Sequence, residues 1–206
     1  MNGDQIIAIC QMVLKQYEKK ADAIEALDRA IGDGDHVINM KRGMAKIVEM
    51  ETSFAGLNLE EGFKKIALAL LSGIGGASGP LFASLFMGMA KPGPDTFAQR
   101  FATGVADVQK RGKAREGEKT MLDVLIPVSS VFTALEAQGA TIGQILKTLK
   151  ETAQKGAENT RNMEARKGRA SFLGERSIGT VDPGARSCEV IISTICDCLS
   201  DGEIKI

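Results

Sequence analysis

Apolar residues recur at helical spacing along almost the whole chain, and this pattern constrains the fold more than any other feature of the sequence. In the first segment, Ile6, Ile9, Val13 and Tyr17 follow one another at intervals of three or four residues, and lysines occupy other positions at 15, 19 and 20. No segment alternates apolar and polar residues over the length of a strand. The pattern therefore predicts an all-α fold, with residues 1–206 forming one domain: a bundle of about eight antiparallel helices.

Local signals mark where these helices begin. Asn58 with Glu61, and Thr141 with Gln144, have the spacing of capping boxes. Asp182 precedes a proline, as expected for an N-cap followed by proline at the first helical position. Pro127 is expected to kink its helix or to delay its start. After the first helix, further helices are predicted over residues 40–51, 58–71, 81–90, 95–110, 121–137, 141–165 and 182–199.

Composition excludes several classes of protein. Lys plus Arg equals Asp plus Glu, 26 of each, and no basic stretch is interleaved with aromatic residues. The chain therefore has no net positive charge that would attract nucleic acid or an anionic membrane. The four cysteines lack zinc-site spacing, and unpaired thiols are typical of a reducing compartment. With no signal peptide and no stretch of transmembrane length, a cytoplasmic location is expected.

The residues from 28 to 39 are the strongest indication of chemistry. Asp28, Asp33, Asp35 and the only histidine, His36, surround two glycines. Such a concentration of like charge is unfavourable unless a cation neutralises it, so carboxylate ligands for Mg²⁺ or Ca²⁺ are predicted. The EF-hand calcium loop fits badly, because its alternating acidic positions and its late glutamate are missing. A solvated acidic turn is the alternative.

Three other loops are rich in Gly, Ser and charged residues. Residues 75–80 open a helix at which Ser78 can cap and an anion can bind, although such glycines also serve close packing. Residues 111–121 carry charges of both signs and fit a surface loop as well as a site. In residues 167–184 the arginines could clamp phosphate, or pair with Glu175 and Asp182. No Walker A motif occurs, so the combined pattern predicts an unusual Mg²⁺–phosphate site.

The motifs in these loops resemble those of one known family. They stand in order as Gly-Asp-Gly-Asp-His-x2-Asn-Met, Gly-Gly-Ala-Ser-Gly-Pro-Leu, Gly-Glu-Lys-Thr-Met and Lys-Gly-Arg-Ala-Ser-Phe-Leu-Gly-Glu-Arg-Ser-Ile-Gly, followed by Asp-Pro-Gly-Ala. The chain resembles the nucleotide-binding L subunit (DhaL) of dihydroxyacetone kinase, of the type that depends on the phosphotransferase system. The resemblance implies a barrel of eight antiparallel helices with the nucleotide at one end.

The resemblance also implies roles for individual residues. Asp28, Asp33 and Asp35 would hold Mg²⁺, two ions in all, and with Arg169 they would be the catalytic residues. The nucleotide, ADP or ATP, would be bound by the residues that match the family's motifs: His36, Val37, Ile38, Asn39, Ala77, Ser78, Gly112, Met121, Arg169, Asp182, Pro183 and Gly184.

The activity implied by the resemblance is phosphoryl transfer from Mg-bound ATP to dihydroxyacetone. The sugar would be held on a partner K subunit, and bound ADP would be recharged by a phosphohistidine M subunit, with phosphoenolpyruvate as the ultimate donor. A second copy of the chain is a further candidate partner. Two alternatives remain open: a subunit that exchanges free ATP and serves another small ketose, and a nucleotide-loaded sensor of a transcription regulator.

One position departs from the family pattern. Glycine usually follows the motif histidine, whereas this chain has Val37. A β-branched residue disfavours a positive φ and blocks a close backbone approach, so an altered shape is predicted for this part of the loop. All three carboxylates are retained.

Overall fold

A computed structural model describes residues 1–73, 75–76 and 78–202. Within these residues the chain forms eight α-helices and three short 3-10 helices, and no strand. The α-helices are α1 (Gly3–Ile31), α2 (His36–Glu49), α3 (Leu59–Gly73), α4 (Ser78–Met89), α5 (Phe97–Gly112), α6 (Leu122–Ala137), α7 (Ile142–Asn159) and α8 (Pro183–Ser200). The 3-10 helices are Glu51–Phe54, Thr160–Asn162 and Arg169–Ser177.

The helices form a closed ring. Each helix packs against the next one in the chain, and α1 packs against α8 to complete the circle. Consecutive helices joined by short connections run antiparallel, so the predicted all-α barrel of eight helices is confirmed. One consequence matters for function: α2, α4, α6 and α8 begin at the end of the barrel where the other four helices finish.

The predicted capping boxes are present. The backbone N–H of Glu61 donates to the Asn58 side chain, and the Glu61 carboxylate accepts from the Asn58 N–H, both at 3.0 Å. Gln144 makes the equivalent pair with Thr141 at the start of α7. Each box satisfies two N–H groups that a helix start would otherwise leave without a partner.

Several boundaries differ from the prediction, among them the start of α4, at Ser78 instead of residue 81. α1 continues to Ile31, so Asp28 lies in its last turn, and α2 begins at His36 instead of residue 40. The reason is that the Asp28 carboxylate accepts the His36 N–H at 3.0 Å, which joins the two helix ends through a short turn. α7 ends at Asn159, short of the predicted residue 165. Of the two effects expected of Pro127, a delayed start does not occur, since α6 begins at Leu122 and continues through this residue.

A single large cluster of buried apolar side chains connects all eight helices. The largest of its fully buried members are Tyr17, Ile24, Met40, Phe54, Ile66, Leu122 and Leu125. A row of aromatic contacts joins α3 to α6 through Phe63, Phe97 and Phe132, with ring centroids 6.1 and 6.2 Å apart. No helix within the described ranges is long and apolar enough to cross a membrane.

α4 and α5 approach each other unusually closely. A methyl group placed on Gly88 would lie 2.6 Å from the Gly104 Cα, and one placed on Gly104 would lie 2.5 Å from the Leu85 carbonyl oxygen. No side chain fits at either position, because these distances are far below van der Waals contact. The two backbones therefore pack directly against one another.

Lys119 links the loop before α6 to the segment between α7 and α8, at the end of the barrel where α2, α4, α6 and α8 begin. Its side chain is fully buried, and its ammonium group donates to the carbonyls of Thr160 (2.7 Å), Met163 (3.2 Å) and Thr180 (2.5 Å). Burial lowers the pKa of Lys119, and these three acceptors compensate for the lost hydration of its charge. The contacts also explain why the chain leaves the helical path soon after Asn159.

Replacing Lys119 by methionine should destabilise the protein. Methionine keeps most of the side-chain volume but leaves three buried or half-buried carbonyls without their donor, a cost of about 3 kcal/mol in the free energy of unfolding. Urea denaturation measures this change. Lys155→Met on the exposed face of α7 is the matched control and should change stability by less than about 0.5 kcal/mol. Equal effects of the two variants would contradict the assigned role of Lys119.

Candidate functional site

The three aspartates converge at the junction of α1 and α2. Asp28 lies in the last turn of α1 and is 4% exposed, whereas Asp33 and Asp35 are exposed in the turn that follows. One carboxylate oxygen from each residue lies within 4.8 Å of the others. Sequence reasoning expected this convergence, and the structure brings the three groups together in a form that could hold a cation.

Close packing fixes the carboxylate of Asp28. One oxygen accepts the His36 N–H at 3.0 Å, and the other lies so close to Gly32 that an added methyl group there would be 2.0 Å from it. The Gly32 N–H also donates to the Asp28 carbonyl at 2.5 Å. Glycine is therefore required at position 32 for the carboxylate to keep its place.

Arg169 lies far from the three aspartates in the sequence but contacts the same cluster. It begins the 3-10 helix Arg169–Ser177, and its guanidinium group lies 2.8 Å from the Asp33 carboxylate. Ser177 anchors this segment, because its hydroxyl accepts the Ala165 N–H and donates to the Gly174 carbonyl. The sequence left open whether the arginines of this loop bind phosphate or pair with acidic residues. In the structure, Arg169 pairs with an acidic residue, the predicted metal ligand Asp33.

His36 connects the acidic cluster to the start of α4. Its Nδ1 lies 3.2 Å from the Ser78 hydroxyl, and its ring is buried. Burial lowers the pKa of His36, and the nearby carboxylates of Asp28 and Asp35 oppose this effect. Asn39, one turn further along α2, faces the glycine-rich loop, with its side-chain oxygen 3.0 Å from the position a Gly75 Cβ would occupy. Ala77 lies outside the described residues.

The turn before α8 completes the same end of the barrel. Asp182 caps α8 by accepting the Ala185 N–H at 2.7 Å, as its sequence predicted. Burial raises the pKa of Asp182 to about 7. Gly184 lies beside Met121, whose backbone nitrogen would be 3.7 Å from a methyl group on the glycine. Pro183 joins this turn to His36 through the Ser187 hydroxyl.

Gly112, Val37 and Ile38 lie outside the group of contacts formed by the aspartates, His36 and Asp182. Gly112 ends α5 beside Leu81, one turn into α4 from Ser78. Val37 is buried in the core, and the Ile38 side chain is 59% exposed; both line a shallow groove against α1. Val37 lies in the first turn of α2 with an ordinary negative φ. A helical residue needs no positive φ, so Val37 is accommodated in α2 without backbone strain.

Sequence reasoning missed two polar residues behind the site. Ser187 lies inside α8 and bonds to His36 Nε2 at 2.7 Å, and the Tyr17 hydroxyl lies 3.0 Å from the same serine. The spacing of Tyr17 after Ile9 and Val13 predicts only an apolar position of a helix. Nothing in the local sequence marks either residue, although Ser187 falls one turn after the Asp-Pro-Gly motif and so faces the same side of α8 as Pro183.

The closed ring of helices, with the acidic cluster at one of its ends, places the chain in the class of helical-barrel domains whose functional side chains lie at one end. Residues 30–197 match the family model described as the DAK2 domain. The chain belongs to the DAK2 domain family, among the DhaL subunits.

Relatives from two bacteria show the extent of the similarity. The chain is 40% identical over 178 residues to the "PEP-dependent dihydroxyacetone kinase, ADP-binding subunit DhaL" of Escherichia coli K12, covering 83% of this chain and 85% of the relative. It is 42% identical over 184 residues to the PTS-dependent counterpart of Lactococcus lactis, covering 88% and 89%.

A solved structure has the same fold. The crystal structure of the dihydroxyacetone kinase from C. freundii in complex with AMP-PNP and Mg2+ matches 94% of this chain with a TM-score of 0.74 and 25% identity. This chain spans about a third of the length of that protein, 34%.

Replacing Gly32 by alanine should weaken cation binding. The new methyl group would displace the Asp28 carboxylate from the cluster, and we expect affinity for Mg²⁺ to fall about tenfold or more. Isothermal titration with Mg²⁺ in the presence of ADP measures this change. The matched control is Gly143→Ala, where an added methyl group meets no atom within 4 Å. Unchanged affinity in Gly32→Ala would show that Asp28 is not a ligand.

Replacing Asp182 by asparagine should change how stability depends on pH. The folded-state pKa of Asp182 is about 7, above the ordinary value of 3.8, because burial disfavours the charged form. Its stabilising contribution is therefore complete below pH 3.8 and is lost as the pH rises through about 7. Asparagine carries no titratable proton, so the wild type should lose stability relative to Asp182→Asn over this range.

Thermal unfolding of both proteins between pH 4 and pH 9 checks the Asp182 prediction, with the exposed Asp22→Asn as the control. The difference in melting temperature between the wild type and the control variant should stay nearly constant with pH. A constant difference between the wild type and Asp182→Asn as well would contradict the raised pKa.

Proposed function

We propose that this chain is the nucleotide-carrying subunit of a dihydroxyacetone kinase, a phosphotransferase that is active only with partner subunits. The observation that carries the proposal is the three-carboxylate cluster, whose oxygens lie within 4.8 Å of one another beside His36. The names of the two bacterial relatives, both ADP-binding subunits of this kinase, support the same activity. DAK2 family membership supports it over the greater part of the chain.

The donor set of the cluster fits Mg²⁺. Asp28, Asp33 and Asp35 offer only carboxylate oxygens, which suit a hard divalent cation, whereas zinc sites use nitrogen and sulfur ligands. Two of the three carboxylates are exposed and can turn toward an incoming ion. Asp28, Asp33 and Asp35 would hold Mg²⁺, in our proposal two ions, which would neutralise negative charge on the phosphate groups of the nucleotide.

Helix N-termini supply the rest of the anion-binding groups. α2, α4, α6 and α8 all begin at this end of the barrel, at His36, Ser78, Leu122 and Pro183. The first N–H groups of a helix have no intrahelical acceptor and carry partial positive charge, so they favour phosphate. We assign the nucleotide to the space among these helix starts and the loops beside them, bounded by the residues from the sequence prediction: His36, Val37, Ile38, Asn39, Ala77, Ser78, Gly112, Met121, Arg169, Asp182, Pro183 and Gly184.

Phosphoryl transfer needs positioning and charge neutralisation more than covalent help from the protein. The γ-phosphoryl group of ATP passes to a hydroxyl of dihydroxyacetone held on a K subunit, which leaves ADP in this site. A phosphohistidine M subunit returns a phosphoryl group to that ADP, with phosphoenolpyruvate as the ultimate donor. Arg169, next to Asp33, offsets negative charge on the transferred group. His36 is not a nucleophile in this scheme, because serine hydroxyls occupy both its ring nitrogens.

The proposal extends to organisation and location. We assign residues 1–206 to one nucleotide-binding domain, which is supported by the single large core that connects all eight helices. We place the protein in the cytoplasm, where thiols such as those of Cys10, Cys188 and Cys196 stay reduced. A second copy of the chain remains a candidate partner besides the K and M subunits.

The nucleotide content of the purified chain is the first test. A relay subunit should carry ADP through purification at close to one molecule per chain, released on denaturation and identified by chromatography. A chain that is empty but binds Mg-ATP on addition would instead be a subunit that exchanges free ATP. A chain that binds neither nucleotide would overturn the proposed function.

Replacing Asp33 by asparagine should abolish most of the transfer activity. The amide keeps the shape of the side chain but removes the negative charge of one proposed metal ligand, so we expect a loss of about 100-fold or more. The assay combines the chain with K and M subunits and phosphoenolpyruvate, and measures dihydroxyacetone phosphate. Asp95→Asn, exposed at the opposite end of the barrel, should keep full activity. Full activity in Asp33→Asn would show that the metal assignment is wrong.

A further inference from the structure

Four side chains form a continuous hydrogen-bonded chain behind the candidate site. The Ser78 hydroxyl lies 3.2 Å from His36 Nδ1, His36 Nε2 lies 2.7 Å from the Ser187 hydroxyl, and this hydroxyl lies 3.0 Å from that of Tyr17. His36, Ser187 and Tyr17 are all buried, the last two completely. The network therefore runs from the core of the barrel to the start of α4.

The direction of these hydrogen bonds follows from counting protons. A serine hydroxyl has one proton, and Ser187 donates it to the Pro183 carbonyl at 2.9 Å, a common bond for serine within a helix. The Ser187 oxygen must then accept from both of its other neighbours, His36 and Tyr17.

Tyr17 meets the same requirement. Burial raises the pKa of Tyr17, so its hydroxyl keeps its proton and donates it to Ser187. This donation occupies one lone pair of the Ser187 oxygen and leaves the other for His36 Nε2–H. Because the Ser187 proton points to the Pro183 carbonyl, the hydroxyl meets the imidazole as an acceptor.

We propose that Ser187 and Tyr17 are positioning residues that hold His36 in the tautomer with its proton on Nε2, so that Nδ1 accepts the proton of the Ser78 hydroxyl. This bond uses the only proton of the Ser78 hydroxyl and fixes the direction of that hydroxyl at the start of α4. A phosphate group there would be bound by the N–H groups of the helix start and not by the Ser78 proton. This inference rests on the proposed function for its link to the nucleotide, while the tautomer itself does not depend on it.

The tautomer can be measured directly, because His36 is the only histidine in the chain. Two-dimensional ¹⁵N–¹H spectra of the full chain with labelled histidine, recorded at pH 8 without nucleotide, distinguish a protonated from an unprotonated ring nitrogen. The wild type should show a protonated Nε2 and an unprotonated Nδ1. A wild type with the proton on Nδ1 would overturn the proposal.

Ser187→Ala removes the acceptor for Nε2–H, so the spectrum should move to a mixture of tautomers or to the reverse one. Affinity for Mg-ADP, measured by calorimetry, should fall about tenfold, because the Ser78 hydroxyl at the start of α4 loses the fixed direction of its hydrogen bond to His36. Ser193→Ala is the matched control, since Ser193 is a buried serine of α8 whose hydroxyl bonds to Glu189 at 3.1 Å. The control should keep both the tautomer and the affinity.

A second variant covers the case in which Ser187→Ala does not fold. Tyr17→Phe keeps the ring in the core and removes only the hydroxyl, so it should shift the His36 Nε2 resonance and reduce affinity for Mg-ADP less than Ser187→Ala. An unchanged His36 spectrum in both variants would overturn the proposal, and so would an altered spectrum with unchanged affinity for Mg-ADP. A wild type that has the expected tautomer but binds no nucleotide would instead overturn the proposed function.

Discussion

The alternating direction of helices in a closed ring fixes which helix starts stand together in this protein. With eight helices and α1 packed on α8, four helices begin at one end, at His36, Ser78, Leu122 and Pro183, and the other four finish there. Each helix start carries roughly half of a positive charge and each helix end the opposite, so their sum gives this end no net charge. The N–H groups of the individual helix starts, and not a field of the whole barrel end, favour the phosphate chemistry proposed for this family member.

The acidic cluster adds negative charge beside these helix starts. Asp28 receives a backbone N–H from the start of α2, and Asp33 is paired with Arg169, so two of the three carboxylates have a protein partner. These partners keep the carboxylates close together without tying up all of their oxygens. A nucleotide with its cation adds charges of both signs, so the helix starts and the carboxylates each gain a partner of opposite charge.

Sequence periodicity predicted the helix count and most helix starts, because caps and apolar spacing are local signals. The same signals failed where distant groups decide a boundary. α7 ends early since Lys119, far away in the sequence, takes the carbonyls that follow it. The acidic motif predicted that its three carboxylates converge. Ser187 and Tyr17 could not be found in this way, because 170 residues separate them and each looks like an ordinary helical position.

The direct backbone contact between α4 and α5 has a consequence for how relatives of this protein can diverge. Gly88 lies ten residues beyond Ser78 in the same helix, a distance of about 15 Å along its axis. Because the two backbones touch at Gly88 and Gly104, the height and roll of α4 are set there. A larger residue at this seam would shift the start of α4 as a rigid rod. Substitutions at the opposite end of the barrel can thus change the affinity for a ligand, while every residue that contacts the ligand stays the same.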